Sequence, residues 1–342
     1  MTTSPLRVGV IGAGANTRTK HIPGLQAIDG VEVVAVCNRS LESGQRVADE
    51  LGIPQVETDW RAVINDLAID AVVIGTWPYM HKMLTIAALE AAKHVMCEAR
   101  MAMNAAEARE MHKASRQRPH LTAQIVPSPF SLRVDKTIQR LLAEGWLGEV
   151  LAVEIRAGND FIDRNGPLHW RHDRDLSGLN VMSMGIWYEA MLRWVGAANR
   201  VTATGKTFVP TRKDSAGRLR EIRIPDHIDI LADLACGASA HIQVSSVTGL
   251  AGPPSATLYG SQGTLRFVEN KLFGGRGSDK GLTEIDIPAS EAGGWRVEQE
   301  FVNAIRGLEP ITHTDFLTGV KYMEFTEAVS ISLAEGRSVA LY

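Results

Sequence analysis

The most constraining stretch of the chain is Val8-Gly9-Val10-Ile11-Gly12-Ala13-Gly14-Ala15-Asn16-Thr17, an apolar run that ends abruptly in glycine. Such a run reads as a buried parallel strand, and a Gly-x-Gly directly after it makes a tight turn followed by backbone bare of side chains. Amide groups at the start of the next helix can then hold a pyrophosphate, so the ligand this segment predicts is a dinucleotide. Gly12, Gly14, Ala15, Asn16 and Thr17 are the expected contacts. Thr17 stands where a third glycine would complete the fingerprint, so the surrounding pattern has to decide.

That pattern is strand, turn, helix, strand. A short helix through Gly24 to Ile28 leads to a second apolar run, Val31 to Cys37. Helices follow at Leu41 to Leu51, Trp60 to Leu67, Met80 to Ala92 and Asn104 to Gln117, with Asn104 and Glu107 placed as a capping box for the last. Strands fall between them at Ala71 to Ile74, His94 to Cys97 and Leu121 to Val126. Repeated units of this kind predict an α/β doubly wound parallel sheet with its ligand at the carboxyl ends of the strands. Those ends carry Gly12 to Thr17, Asn38-Arg39-Ser40, Thr76-Trp77-Pro78 and Glu98-Ala99-Arg100.

The end of the second strand is where an adenosine ribose is met, and a carboxylate there would favour a free 2′-hydroxyl and repel a 2′-phosphate. Asn38 has no charge, Arg39 offers a planar fork of donors and Ser40 adds a hydroxyl. The expectation is NADP in preference to NAD. Ser40 also fits the N-cap of the helix from Leu41.

Pro127-Ser128-Pro129 punctuates the chain and sets the expected boundary between a dinucleotide domain, residues 1–126, and a second domain, 127–342. Beyond it the pattern changes to a helix, Ser131 to Glu144, and successive strands joined by turns such as Gly260-Ser261-Gln262-Gly263. That order predicts a mainly antiparallel sheet in an α+β domain, closed by helices Gly294 to Arg306 and Asp315 to Glu335. At 342 residues, two cores are the natural expectation.

A formal net charge of -3 gives no reason to expect nucleic acid or an anionic membrane, so a small-molecule substrate is the default partner. The first strand begins within a few residues of Met1, and no run of about 18 apolar residues follows, which predicts a cytoplasmic protein. Cys37, Cys97 and Cys236 lie far apart beside apolar runs and read as free buried thiols. His169 and His172 lack further ligands at a telling spacing, so no metal is expected.

Several segments together resemble the Gfo/Idh/MocA family: Val8 to Gly14, Ile86 to Glu98, Thr76 to His81, Tyr259-Gly260-Ser261-Gln262-Gly263-Thr264-Leu265, and the closing Gly336-Arg337-Ser338-Val339. The resemblance covers nearly the whole chain. It implies an N-terminal Rossmann domain, a C-terminal domain built on a large open sheet for substrate binding and oligomerisation, and hydride transfer between NAD(P) and a sugar or cyclitol hydroxyl. It also implies a homo-oligomer, a dimer or tetramer, since family members pair their open sheets. Their place at strand ends puts Thr76, Trp77 and Glu98 in the cofactor half of the site, together with His81, which ends the family-like Thr76 to His81 run and is expected to cap or pack there.

The departures bear on the chemistry. Where the family has Glu-Lys-Pro, with the lysine beside the reacting hydroxyl, this chain reads Glu98-Ala99-Arg100. Where the family carries Asp and then His four residues on, alignment on Gly178 and Gly185 gives Ser183 and Trp187. If helical, Asn180, Ser183 and Trp187 share one face. Tyr188 and His169 are then the expected proton relay, with Asp173 orienting His169 and Arg171 available to an anionic group, and Arg100 next in order. Trp77 and Trp187 are expected to wall the nicotinamide pocket. Two other functions fit the missing groups: a lyase or glycosidase that retains its NAD(P), and a non-catalytic dinucleotide sensor.

Overall fold

The five apolar runs of the first third become short strands, and a sixth strand forms at Gln55–Glu57, which carries no apolar run, as seen in a computed structural model that describes residues 4–341. Of the described residues, those from Ser4 to Pro127 pack with Arg296–Val320 as one unit, and Ser128–Trp295 pack with those from Lys321 to Leu341 as another.

The first unit alternates β1 (Leu6–Ile11), α1 (Ile22–Gln26), β2 (Val31–Cys37), α2 (Leu41–Leu51), β3 (Gln55–Glu57), α3 (Trp60–Asn65), β4 (Ala71–Ile74), α4 (Pro78–Glu90), β5 (His94–Cys97), α5 (Ala105–Arg116) and β6 (Ala123–Ile125). Strand order is β3-β2-β1-β4-β5-β6, all parallel. Every residue of β4 is buried, which is why the strand reads as a continuous apolar run without alternation. The order reverses between β1 and β4, and that switch point opens a crevice at the carboxyl ends. Asn104 caps α5 through the Glu107 N–H at 2.9 Å, while the Glu107 carboxylate returns to Met103 N. The expected helix at Gly24 starts earlier, as a π-helical turn over Thr17–His21 running into α1.

The second unit holds α6 (Asp135–Ala143), β7 (Val150–Ala157), α7 (Arg174–Ser177), α8 (Met184–Val195), β8 (Ala198–Lys206), a small hairpin of β9 (Thr211–Lys213) and β10 (Leu219–Glu221), then β11 (His227–Leu234), β12 (Ser239–Ser245), β13 (Ser255–Gly260), β14 (Gly263–Val268), β15 (Lys271–Arg276) and β16 (Thr283–Ile285). Helix α9 (Val297–Ile305) belongs to the first unit, α10 (Phe316–Glu335) begins there and ends in the second, and β17 (Val339–Ala340) completes the larger sheet. That sheet has nine strands in the order β16-β15-β14-β13-β7-β12-β11-β8-β17. All neighbours are antiparallel except β7 and β12. Strand β15 escapes sequence reading because Gly274 and Gly275 interrupt its pattern. A Cβ on Gly274 would come within 2.5 Å of Ile285 and 3.0 Å of Trp146, so close packing demands glycine there.

One cysteine departs from expectation. Cys37 and Cys97 are buried, and burial pushes the Cys37 thiol up to about 11 and the Cys97 thiol higher still. Cys236 is exposed, because the polypeptide turns at Ala235-Cys236-Gly237 between β11 and β12 instead of continuing a strand. No described helix is long and apolar enough to cross a membrane.

Candidate active site

The glycine turn is held from both sides. Gly12 N–H donates to the Cys37 carbonyl at 2.8 Å, and Gly75 N–H donates to the Ile11 carbonyl at 2.8 Å. Gly12 has φ +87°, and a Cβ there would lie 2.6 Å from the Thr76 nitrogen, so no other residue fits without moving backbone. Gly14 is different. A Cβ at Gly14 meets nothing nearer than the Gly75 carbonyl at 3.7 Å, which leaves open space beside the backbone where a ligand can approach. The helix that follows begins at Ala15 and Asn16, and amide groups in a first turn have no partners within their own helix.

Thr17 is buried at 1% exposure. It takes the third glycine's place because the opposing chain supplies the space: a Cβ on Gly75 would fall 2.1 Å from Thr17 Oγ1. The small residue needed for close packing has moved from the helix to the end of β4.

Asn38 turns inward. Its Oδ1 accepts from Ala13 N–H at 2.7 Å and its Nδ2 donates to the Ser43 carbonyl at 3.1 Å, so the amide ties the glycine turn to α2. Ser40 is the N-cap of α2, its hydroxyl accepting from Ser43 N–H at 3.3 Å. Arg39 and Ser40 are both exposed, and the Arg39 guanidinium lies 5.6 Å from the centroid of the half-buried Trp77 ring. This pairing gives a flat cationic edge beside an aromatic wall.

His81 is 0% exposed and acts as a clamp, not as a ligand contact. Its Nε2 lies 3.0 Å from the Thr76 carbonyl and its Nδ1 3.0 Å from the Arg100 carbonyl, so the ring sits between the segments that follow β4 and β5 and, when neutral, donates to one of the two carbonyls. Burial holds its pKa below the ordinary histidine value against the opposing effect of those carbonyls. The hydroxyl of Thr76 is buried and finds no hydrogen-bond partner among the described residues. An orphaned hydroxyl beside the open face of the turn fits a site built for a polar ligand.

Glu98 is committed to the protein on both oxygens. Oε1 accepts from Asn16 Nδ2 and lies 3.0 Å from His21 Nε2, and Oε2 accepts from Ala99 N–H at 3.0 Å. Burial opposes ionisation, yet His21 and Asn16 hold the carboxyl below its usual range. Arg100 follows a cis Ala99–Arg100 peptide and is buried at 4% exposure.

The second unit treats the expected catalytic residues unevenly. Helix α8 starts at Met184, so Asn180 lies before it and Ser183 is its N-cap. The shared helical face expected for Asn180, Ser183 and Trp187 does not form, because Met182 takes φ +40° just ahead of the helix. Trp187 is buried at 3% and packs against Phe130 and Phe267, with centroids 5.2 and 6.2 Å away. Tyr188 is fully buried, stacked on Phe325 at 3.7 Å, and its hydroxyl accepts from Ala198 N–H at 2.9 Å. Burial pushes that phenol up to about 12. It is a core residue, and its environment does not support a relay.

His169 is exposed, its Nδ1 accepting from Arg171 N–H at 3.2 Å. Burial first, and then Arg171, hold its pKa below the ordinary value. Asp173 does not orient it. That carboxylate caps α7 through Asp175 N–H at 2.9 Å. The Arg171 guanidinium lies over Trp170 at 4.1 Å. Among the described residues, no group of three or more His, Cys, Asp or Glu side chains forms a metal site.

Residues 6–124 match an oxidoreductase family with an NAD-binding Rossmann fold, Gfo/Idh/MocA, and residues 136–266 match the C-terminal domain of the same family. The chain belongs to the Gfo/Idh/MocA family. It is an NAD(P)-dependent oxidoreductase of that family, and the parallel six-stranded sheet is its Rossmann domain. The chain is 25% identical over 260 residues to the trans-1,2-dihydrobenzene-1,2-diol dehydrogenase of Mus musculus, covering 75% of this chain and 73% of that one. It is 34% identical over 157 residues to the D-glucoside 3-dehydrogenase of Escherichia coli, covering 46% and 44%. Its fold is similar to that of a levoglucosan dehydrogenase solved with NADH and L-sorbose, with TM-score 0.88, 21% identity, and coverage of 98% and 99%.

Sequence reasoning missed Gly75, His21 and Glu298. Gly75 carries a readable signal, since a residue too large at the third glycine calls for a small one opposite. His21 and Glu298 meet across 277 residues and carry none.

Proposed function

We propose that this protein is an NADP-preferring dehydrogenase that oxidises a ring hydroxyl of a carbohydrate-like or other cyclic small molecule, or reduces the matching ketone. The observation that carries the cofactor half is the edge made by Gly14, Arg39 and Trp77: open backbone at the turn, no carboxylate at the ribose position, and an outward guanidinium beside an aromatic ring. Gly12 to Thr17 would hold the pyrophosphate, Thr76 offers a hydroxyl, and Arg39 would take the 2′-phosphate. When bound, the nicotinamide supplies the hydride acceptor or donor. The substrate class is supported by relatives named for a glucoside and a dihydrobenzene diol, both cyclic and hydroxylated.

Hydride removal from a hydroxyl-bearing carbon leaves a proton to be taken up, and a positioned base commonly contributes about 10² to 10⁴ in rate. With Tyr188 sealed in the core, the proposed acceptor is His169. Its depressed pKa keeps the ring neutral near neutral pH, with the Arg171 N–H hydrogen bond placing the ring proton on Nε2. Protonation at Nδ1 displaces that cap, which links proton uptake to movement of the loop that carries it.

The proposed oligomer is a pair of identical chains. The nine-stranded sheet has a face on which Leu231 and Tyr259 are 61% and 40% exposed amid polar side chains, and light scattering on the purified protein tests it. The function itself is tested by screening cyclic polyols and glycosides for NADP reduction. Turnover on such a compound, lost in His169→Ala with NADPH affinity kept, is the expected result.

A further inference from the structure

His21 is 0% exposed and lies between two carboxylates from distant parts of the first unit. Its Nδ1 is 2.5 Å from Glu298 Oε1 on α9, and its Nε2 is 3.0 Å from Glu98 Oε1 at the end of β5. Only an imidazolium donates on both sides at once. Burial works against that charge, but the two carboxylates outweigh it and raise the pKa to about 9. Gly24 makes the approach possible, since a Cβ there would lie 3.0 Å from the Glu298 carboxyl group.

The arrangement reaches the cofactor turn in two steps. Glu98, fixed by His21, accepts from Asn16 in the first turn after Gly14 and from Ala99 N–H in the segment after β5. Removing the imidazolium leaves Glu98 and Glu298 as partly or wholly buried carboxylates facing one another, which is a strong reason for either to turn away or take up a proton. Asn16 then loses its anchor.

We propose that His21 and Glu298 are positioning residues for dinucleotide binding: Glu298 holds the His21 imidazolium, which keeps Glu98 turned onto Asn16 and the glycine turn in its binding shape. The inference rests on the reading that this turn holds the dinucleotide. It assigns to α9, a segment far along the chain, control over a loop near its start. Charged groups that face His21 include Glu98, just after β5, and Glu298 from α9, with the neutral Asn16 beside them.

The test is the affinity for NADH, read by its fluorescence across pH 6 to 10 in the wild type, Glu298→Gln and Gly14→Val, with circular dichroism confirming the fold of each. NADH is the probe because its phosphodiester charges do not titrate in this window. Wild-type affinity is expected to be level to about pH 8 and to fall through about pH 9. Glu298→Gln keeps the shape and an acceptor for Nδ1 but removes a charge. Its profile should move down by about one to two pH units, weakening binding about twofold to tenfold at pH 8. A His21→Gln protein should bind weakly and without this pH dependence. A Glu298→Gln profile that overlays the wild type, with Gly14→Val inactive in binding, overturns the inference alone. Wild type that binds no NADH at any pH overturns the reading of the turn and the inference together.

Discussion

The Oδ1 of Asn38 accepts a hydrogen bond from Ala13 N–H at 2.7 Å, so the residue at the expected ribose position braces the glycine turn. In the proposed reading, discrimination between dinucleotides falls to its exposed neighbour Arg39. Arg39→Ala should weaken NADPH by about 1.5 to 3 kcal/mol, the scale of a charge-assisted hydrogen bond, and leave NADH nearly unchanged. Titration calorimetry with both cofactors measures this. Equal losses would show that Arg39 does not meet the 2′-phosphate.

The two glycines of the turn should fail in different ways. Gly12→Ala forces a Cβ against the Thr76 backbone at a φ of +87°, and should lower stability by more than about 2 kcal/mol. Gly14→Val has room in the protein and should melt like the wild type while losing dinucleotide binding. Denaturant titration paired with binding separates them; a Gly14→Val protein with wild-type affinity would remove that residue from the site.

His21 makes stability depend on pH in a defined direction. A folded-state pKa of about 9 against an unfolded value of 6.5 means that the folded chain holds a proton the unfolded chain releases. The stabilisation is complete below about pH 6.5 and is lost as pH rises through about 9, with a ceiling of about 3 kcal/mol. Glu98 is depressed by the same contact, so its share is not additional. Urea unfolding of the wild type between about pH 6.5 and 9.5 should show the decline, and His21→Gln should flatten it.

The Rossmann half was legible because its strands are continuous apolar runs that end in Gly12, Asn38 and Gly75, residues that punctuate the chain wherever they occur. Residue type alone does not fix direction, however. Asn38 has the same composition whether its amide faces a ribose or Ala13, and Tyr188 next to Trp187 reads as a pocket residue until Phe325 is seen stacked on it. The helical spacing reaches from Trp187 back to Ser183, whose carbonyl accepts from Trp187 N–H at 3.1 Å, but not to Asn180, because Met182 breaks the helical path between them. The return of α9 to the first unit is invisible because the Glu298 contact with His21 leaves no periodic trace.

Tyr188 and His169 should behave oppositely on substitution. Tyr188→Phe strands the buried Ala198 N–H and should cost about 1 to 3 kcal/mol of stability with turnover nearly kept. His169→Ala removes an exposed cap, should cost no more than about 1 kcal/mol of stability, and should lower kcat by about 10². Steady-state kinetics beside thermal melts decide the pair. A Tyr188→Phe protein that melts normally but does not turn over would return the relay to the phenol.

The central claim is net oxidation of a ring hydroxyl, and the most direct measurement is reduced dinucleotide formed per ketone released when a panel of glycosides and cyclic polyols is incubated with excess NADP. One reduced dinucleotide per ketone, with a slower rate for substrate deuterated at the carbinol carbon, is the predicted result. Substrate cleavage with no net reduction of the dinucleotide would contradict it in favour of a redox-neutral lyase or glycosidase, and tight dinucleotide binding without turnover on any compound of the panel would contradict it in favour of a sensor.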